Sequence, residues 1–492
     1  MAPTRRLAAG LLTALSLCAG AAAAQPTGDW VVLGWNDLGM HCMNRNHPNL
    51  SVLPPYNNLW AQLIRRGDAA TAPRVVTTGV TLEYSIPGNT YSVGKTDFWT
   101  WDQHLFGVDL PPNVGLTGKG LTGVLDPHAD HFSAEGIPVT PFADATPTVE
   151  DPYQQALVIA RDGGGVELAR ARPVIPVSVE MNCVSSGCHA SETAILNQHA
   201  GPGEGGFDPA NKPILCASCH GDPALGGTGP GAAGWFSQVM HEKHHFIDQS
   251  IPGIDGCYKC HPGPNVRCLR GTMSADHGLT CQNCHGTMAQ VAASIDGGRT
   301  PWVQEPACRT CHTALYGEPV GQLYKLSTGH GGVYCAACHG STHADFPTRE
   351  PRDNADMIAL QGHAGVLSDC RVCHGVTPAG AGPHGMVPTA VVETELLGGA
   401  DRLAVWPSPL AVGAGCTIRL SAARAGEAGR LLVFDARGRT VRLLEARPDK
   451  AGEALARWDG RDARGRQAAA GVYFLRWTDG SRHAAAKVVM VD

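Results

Sequence analysis

Apolar residues in this chain come in short runs broken by Gly, Pro and Asn. In residues 25–180, WVVLGW (30–35), RVVTTGVTLEYSI (74–86) and QALVIARD (155–162) run or alternate apolar between turn residues, which predicts a β-rich domain. Residues 181–390 lack such periodicity and read as loop with short helices, WFSQVMHEKHHF (235–246) being the most helix-like stretch. In residues 391–492, RLLVFDARGRTVRLL (430–444) predicts a hairpin around Arg437-Gly438, and WDGRDARGRQAAAGVYFLRW (458–477) a turn leading into an apolar strand. The chain therefore reads as multidomain, with a β-rich first domain, a loop-rich middle and a β-rich tail.

Residues 1–24 have the layout of an export signal: Arg5 and Arg6, an apolar stretch from Leu7 to Leu17, and Ala22-Ala23-Ala24 before Gln25. Cys18 falls inside it, and Leu17 is too large for lipoprotein cleavage, so Cys18 is read as part of the discarded signal. The mature chain is expected outside the cytoplasm, in the periplasm, on the cell surface or beyond it. No apolar run reaches the roughly 20 residues of a membrane-spanning helix.

Composition narrows the classes further. Of 492 residues 61 are Gly and 35 Pro, which disfavours long helices, and 43% hydrophobic content disfavours disorder throughout. A net charge of −6 gives no reason to expect nucleic acid. The balance is uneven: the last 102 residues carry 16 basic and 12 acidic side chains, whereas the remainder carries 22 and 32.

The unusual feature is the 18 cysteines and 22 histidines. Fourteen cysteines form seven local pairs, each followed at once by His: Cys216/Cys219/His220, Cys257/Cys260/His261, Cys281/Cys284/His285, Cys308/Cys311/His312, Cys335/Cys338/His339 and Cys370/Cys373/His374 with two residues between the cysteines, and Cys183/Cys188/His189 (CVSSGCH) with four. Two thiols in a short turn can add across the two vinyl groups of one haem, and the next imidazole then lies beneath the ring to bind iron. Zinc ribbons and disulfides would leave the seven histidines idle, and redox dithiols occur singly on a thioredoxin-like βαβ pattern, which is absent. Residues 181–390 allow about 30 residues per haem, too few for a separate apolar pocket around each. On these motifs the middle segment resembles the multihaem c-type cytochromes. The resemblance implies seven c-type haems, the longer CVSSGCH loop being a variant met in that family.

The second axial ligand separates a wire from an enzyme: iron held by two histidines passes electrons, whereas iron with one can bind a substrate or gas. Nine histidines in 181–390 lie outside the motifs, including the cluster His241/His244/His245, in which His241 and His245 would share one helical face. The distal set drawn from these is His199, His241, His245, His277, His330, His343, His363 and His384. Met181, Met240, Met273, Met288 and Met386 offer a minority alternative. In the family resembled, a histidine just upstream of one motif often ligates a neighbouring haem, and His277, His330 and His363 stand so.

In the first domain, Met40-His41-Cys42-Met43 with Asp37 and His47 could offer soft ligands to copper or a stray haem; a buried turn is the favoured alternative. Asp126-Pro127-His128-Ala129-Asp130-His131 could hold a cation, against a plain polar loop. The tail resembles the Ig-like domain of flagellar hook-capping proteins and related C-terminal modules of exported proteins, on WPSPL (406–410), VFDARGR (433–439), WDGRDARGR (458–466) and GVYF (471–474). This implies a small β-sandwich that adheres or guides secretion. Cys42, Cys268 and Cys416 remain outside the motifs as an odd number.

The expected protein is an exported heptahaem electron carrier with domains 25–180 (β-rich), 181–390 (multihaem c-type cytochrome, loop-rich with short helices) and 391–492 (Ig-like β-sandwich). It would serve redox partner proteins or an external acceptor, with end-to-end self-association as a corollary. The competing expectation is an oxidoreductase that reduces a nitrogen or sulfur oxyanion at one open-coordinate haem, with the CVSSGCH haem as candidate.

Overall fold

A computed structural model describes residues 28–199, 208–380, 382–385, 402–406, 410–421, 429–435, 439–446, 453–478 and 483–491. The export signal with Cys18, Met386 and the Arg437-Gly438 turn lie outside the described residues. The chain forms two compact units, Met1–Pro388 and Thr389–Asp492.

The first unit is built on two antiparallel sheets. In one, Asn57–Arg65 runs between Trp30–Trp35 and Phe132–Ile137, with Asp126–Pro127 at the far edge and Arg74–Val75 on its end. In the other the order is Glu167–Ala171, Leu157–Asp162, Val80–Ser85, Gly123–Val124. Both sheets feed one apolar cluster that includes Val32, Leu59, Ala61, Leu63, Leu82, Tyr84, Phe132, Val158 and Ala160.

The strand Asn57–Arg65 is buried along all but its last residue. Side chains alternate across a strand, so Leu59, Ala61 and Leu63 enter that core while Trp60 and Ile64 face the other way. There they join Val31, Leu33 and Trp35 in a second cluster with Tyr334, Ala336, Ala337 and Val372 from the cysteine-rich segment. Residues 28–180 and the cysteine-rich segment thus share a core and fold as one unit.

Polar anchors follow the same seam. Gln62 Nε2 donates to the carbonyls of Asp130 and Gly332 at 2.9 and 3.0 Å, and its Oε1 accepts from Tyr334 N at 3.0 Å. Arg66 donates to the carbonyls of Arg371 and Val372, both at 2.8 Å. Glu180 accepts from the amides of Gly263, Asn265 and Val266. Each anchor grips the backbone beside a different Cys-x-x-Cys-His motif.

Within the cysteine-rich segment the helices are short and capped by the expected chemistry. Ser191 caps Glu192–Gln198 by accepting from Ala194 N, and Thr287 and Gln290 form a capping box on Met288–Asp296. Cys281–His285 and Cys335–His339 are single helical turns stopped by Gly286 and Gly340 at φ of 77° and 85°, where a Cβ would be strained.

The second unit has a three-stranded sheet, Arg402–Trp406, Cys416–Ser421, Glu453–Trp458, and a five-stranded one in the order Leu410–Ala411, His483–Val491, Gly471–Thr478, Gly429–Asp435, Thr440–Ala446. Its core includes Leu431, Val433, Leu475, Val488, Trp458 and Trp477, and it absorbs Cys416 as a small apolar residue. The repeated DARGR segments close their turns alike: Asp435 pairs with Arg439 at 2.7 Å and Asp462 with Arg466 at 2.8 Å.

Candidate functional site

Six of the seven motif histidines face a second imidazole. Ring centres are 6.1 Å apart for His189 and His244, 6.4 Å for His220 and His199, and 6.0 Å for His261 and His241. They are 6.3 Å apart for His285 and His343, 5.8 Å for His339 and His384, and 5.9 Å for His374 and His330. An imidazole nitrogen lies about 1.1 Å from its ring centre and about 2 Å from a metal it ligates, so two imidazoles across one metal have centres about 6 Å apart. The spacing fits iron held between two histidines.

The hydrogen bonds select the free nitrogen. Nδ1 of His220, His241 and His244 lies 3.0, 2.6 and 2.9 Å from the carbonyls of Ala233, Ser237 and Met240. Nδ1 of His199 lies 3.3 Å from the Ile195 carbonyl, and Nδ1 of His343 lies 3.6 Å from Cys268 Sγ. A protonated Nδ1 held this way leaves Nε2 as the donor to a metal, the usual outer-shell arrangement.

Charge state agrees. Burial pushes His261 and His285 down to about 4 and also lowers His220, His241, His339, His343 and His374. Neutral imidazole is the form that ligates.

The motifs form a continuous series. Cys216 lies within the electrostatic reach of Cys183, Cys260 of both Cys183 and Cys188, and Cys257 of Cys281. Cys284 feels Cys311, His339 feels His312, and Cys338 feels Cys373. These neighbours link CASCH to CVSSGCH, CVSSGCH to CYKCH, CYKCH to CQNCH, CQNCH to CRTCH, CRTCH to CAACH, and CAACH to CRVCH. All seventeen described cysteines are free thiols.

The fourteen motif cysteines, read from the sequence as equivalent anchors, are not enclosed alike. Cys188, Cys219, Cys284 and Cys311 are exposed, whereas their motif partners Cys183, Cys216, Cys281 and Cys308 are half-buried. At Cys219 the neighbouring Ser218 hydroxyl donates to its Sγ at 3.8 Å. The cause is local: the tight turn Cys216–Ser218 ends at Cys219 and leaves that residue at the solvent side, with Cys216 as the inner thiol of the pair.

Of the proposed distal set, His199, His241, His330, His343 and His384 each oppose a motif histidine, but His245, His277 and His363 do not. His245 is exposed with Nδ1 2.7 Å from the Glu242 carbonyl, and His277 and His363 are exposed. His244, left out of that set, takes the place opposite His189. Helix Phe236–His244 ends at His244, so the usable pair is one turn apart, His241 and His244. That end falls where the run HEKHHF carries no stop signal.

The other candidate ligands lie apart. Met40 and Met43 are buried, His41 Nε2 pairs with Asp37 at 3.0 Å, and His47 Nδ1 lies 3.0 Å from Ser51 Oγ. Asp126 pairs with Lys119 at 2.8 Å, while His128 and His131 stack at 4.3 Å. Among the described residues no group of three or more His, Cys, Asp or Glu is arranged to hold a metal ion. Cys42 and Cys268 lie close enough for their charges to interact, and burial pushes Cys268 up to about 11.

Comparison with known proteins bears on the tail. Residues 411–481 match the FlgD Ig-like domain family, a span that contains three of the four marks above and excludes WPSPL. No curated protein matches the chain. Among solved structures, PorZ of Porphyromonas gingivalis, described as a surface component of the type-IX secretion system, is 18% identical over 22% of this chain and 13% of its own, with a TM-score of 0.15. Dimeric latent PorU from Porphyromonas gingivalis is 11% identical over 94% of this chain and 34% of its own, with a TM-score of 0.17. The chain thus spans well under two thirds of either protein. What these comparisons establish is a C-terminal Ig-like domain on a multidomain, β-rich chain with short helices.

Proposed function

We propose that this chain is an exported heptahaem c-type cytochrome that carries electrons along its motif series to a redox partner or an external acceptor. The observation that carries the reading is the set of six imidazole pairs spaced for one iron each. Haem bound there supplies reversible one-electron chemistry at iron. The chain's own residues would do the rest: fourteen cysteines would anchor the haems, the six imidazole pairs would ligate six of the irons, and Gln62, Arg66 and Glu180 fix three motifs to the sandwich. The scarcity of apolar clusters in the cysteine-rich segment fits cofactors serving as its core. Among the described residues no helix is long and apolar enough to cross a membrane, and the Ig-like tail suits attachment or guidance rather than redox work.

The test is reduction with dithionite followed by rapid mixing with a ferric chelate. Complete, reversible return of the haem absorbance to its oxidised form is expected; a haem protein that stays reduced would defeat the carrier reading.

A further inference from the structure

The seven motifs are not equivalent. Resting on the haem reading above, we infer that the haem carried by Cys308, Cys311 and His312 is the one that binds a small exogenous ligand, a diatomic or a small anion, with the Glu318 carboxylate buried beside it.

Three observations converge. His312 is exposed and, among the described residues, faces no second imidazole, while the other six motif histidines each do. CVSSGCH, the motif with the odd spacing, is ordinary in this respect because His189 faces His244.

The second observation is Glu318. It is 4% exposed, and the one side chain its carboxylate hydrogen-bonds is Cys308, neither oxygen having another partner among the described residues. A thiol joined to haem as a thioether has no S–H to donate, so the carboxylate would then be buried without a partner, a costly state that is retained where the group acts on something. The backbone places it: Gly317 packs against the backbone of Arg309 with no room for a Cβ, and Arg309 Nη1 donates to the Glu318 carbonyl at 3.3 Å. The carboxylate therefore interacts with the side chain of Cys308, one of the two thiols that would anchor this haem.

Thirdly, the residue after His312 is Thr313, at φ 63°. The matching residues after His285, His339 and His374 are Gly286, Gly340 and Gly375, all at positive φ. A β-branched residue there stores strain that glycine would relieve.

The chemistry of such a site follows from its parts. Haem held by Cys308, Cys311 and His312 would supply an iron able to accept a lone pair, and Glu318 would take the proton of a weak acid such as hydrogen cyanide as it binds.

Carbon monoxide and cyanide are the probes, applied to the full chain once mass spectrometry has counted seven haems. That count separates this inference from the reading beneath it: without haem both fail, whereas with seven haems only the ligand result matters. The reduced protein should take up one carbon monoxide per chain, and His244→Ala should raise the uptake to two by opening a second haem. No uptake, or uptake by several haems of the unaltered protein, would overturn the assignment. Uptake appearing only on dilution would also overturn it, because a second copy would then be supplying the missing imidazole. Glu318→Gln should slow cyanide association with the oxidised protein about tenfold and leave carbon monoxide uptake at one. Unchanged cyanide kinetics would remove Glu318 from the site.

Discussion

His241 and His244 stand one turn apart on the helix Phe236–His244 and face two different motif histidines, His261 at 6.0 Å and His189 at 6.1 Å. One short helix therefore faces two neighbouring motifs, CYKCH and CVSSGCH, whose cysteines lie within electrostatic reach of each other. Substituting His244→Met should convert one haem from bis-histidine to histidine–methionine ligation and raise its potential. His245→Met should change neither. Near-infrared magnetic circular dichroism reads the ligand change, and a response to His245→Met alone would contradict the pairing.

Among the described residues the Arg270–Asp353 ion pair is the most deeply buried, with side chains 2% and 6% exposed and a contact of 2.6 Å. Arg270 also donates to the Gly39 carbonyl at 2.6 Å, tying the sandwich to the cysteine-rich segment. Arg270→Met strands a buried carboxylate and should cost about 3–5 kcal/mol. A clear drop in the denaturant midpoint of the first unit is expected. A midpoint unchanged by the substitution would show that the pair does not hold the seam.

Acid stability should report His47. It is fully buried, its Nε2 is unpartnered, and burial pushes it down to about 4 from its ordinary 6.5. The unfolded chain takes its proton near pH 6.5 and the folded chain only near 4. Stability is therefore complete above 6.5, falls as pH drops towards 4, and changes no further below that. The loss is about 3 kcal/mol. Denaturant midpoints at pH 7 and pH 4 should converge in His47→Gln relative to the unaltered chain; equal pH sensitivity would refute the assignment.

The tail should fail without affecting the cysteine-rich segment. Trp458 is fully buried and its Nε1 donates to the Arg461 carbonyl at 2.9 Å. Trp458→Ala should destabilise the Ig-like unit by about 3–5 kcal/mol and leave the haem spectrum unaltered, as calorimetry beside absorbance would show. Loss of haem absorbance would mean that the two units depend on each other.

Legibility in the sequence followed the range of the interaction. The Cys-x-x-Cys-His runs are local patterns, as are the strands WVVLGW and GVYFLRW, and their positions could be read by inspection. The partners of those histidines could not, because His343 reaches His285 across 58 residues and only the tertiary fold decides it. His244 was hidden behind His245 because helix termini are weakly encoded. The unequal exposure of Cys216 and Cys219 was equally hidden, since spacing within a motif says nothing of which thiol meets solvent. The shared core was hidden too: Trp60 and Ile64 look like an ordinary strand face until Tyr334 and Val372 are seen against them. Glu318 carries no motif at all, and only its burial distinguishes it.

The central claim is that seven cysteine pairs fasten seven haems. Intact mass of the mature protein, produced in a host that matures c-type cytochromes, tests it most directly. The expected value is the polypeptide mass plus seven haems, surviving denaturation; the bare polypeptide mass would mean that the cysteine pairs fasten none.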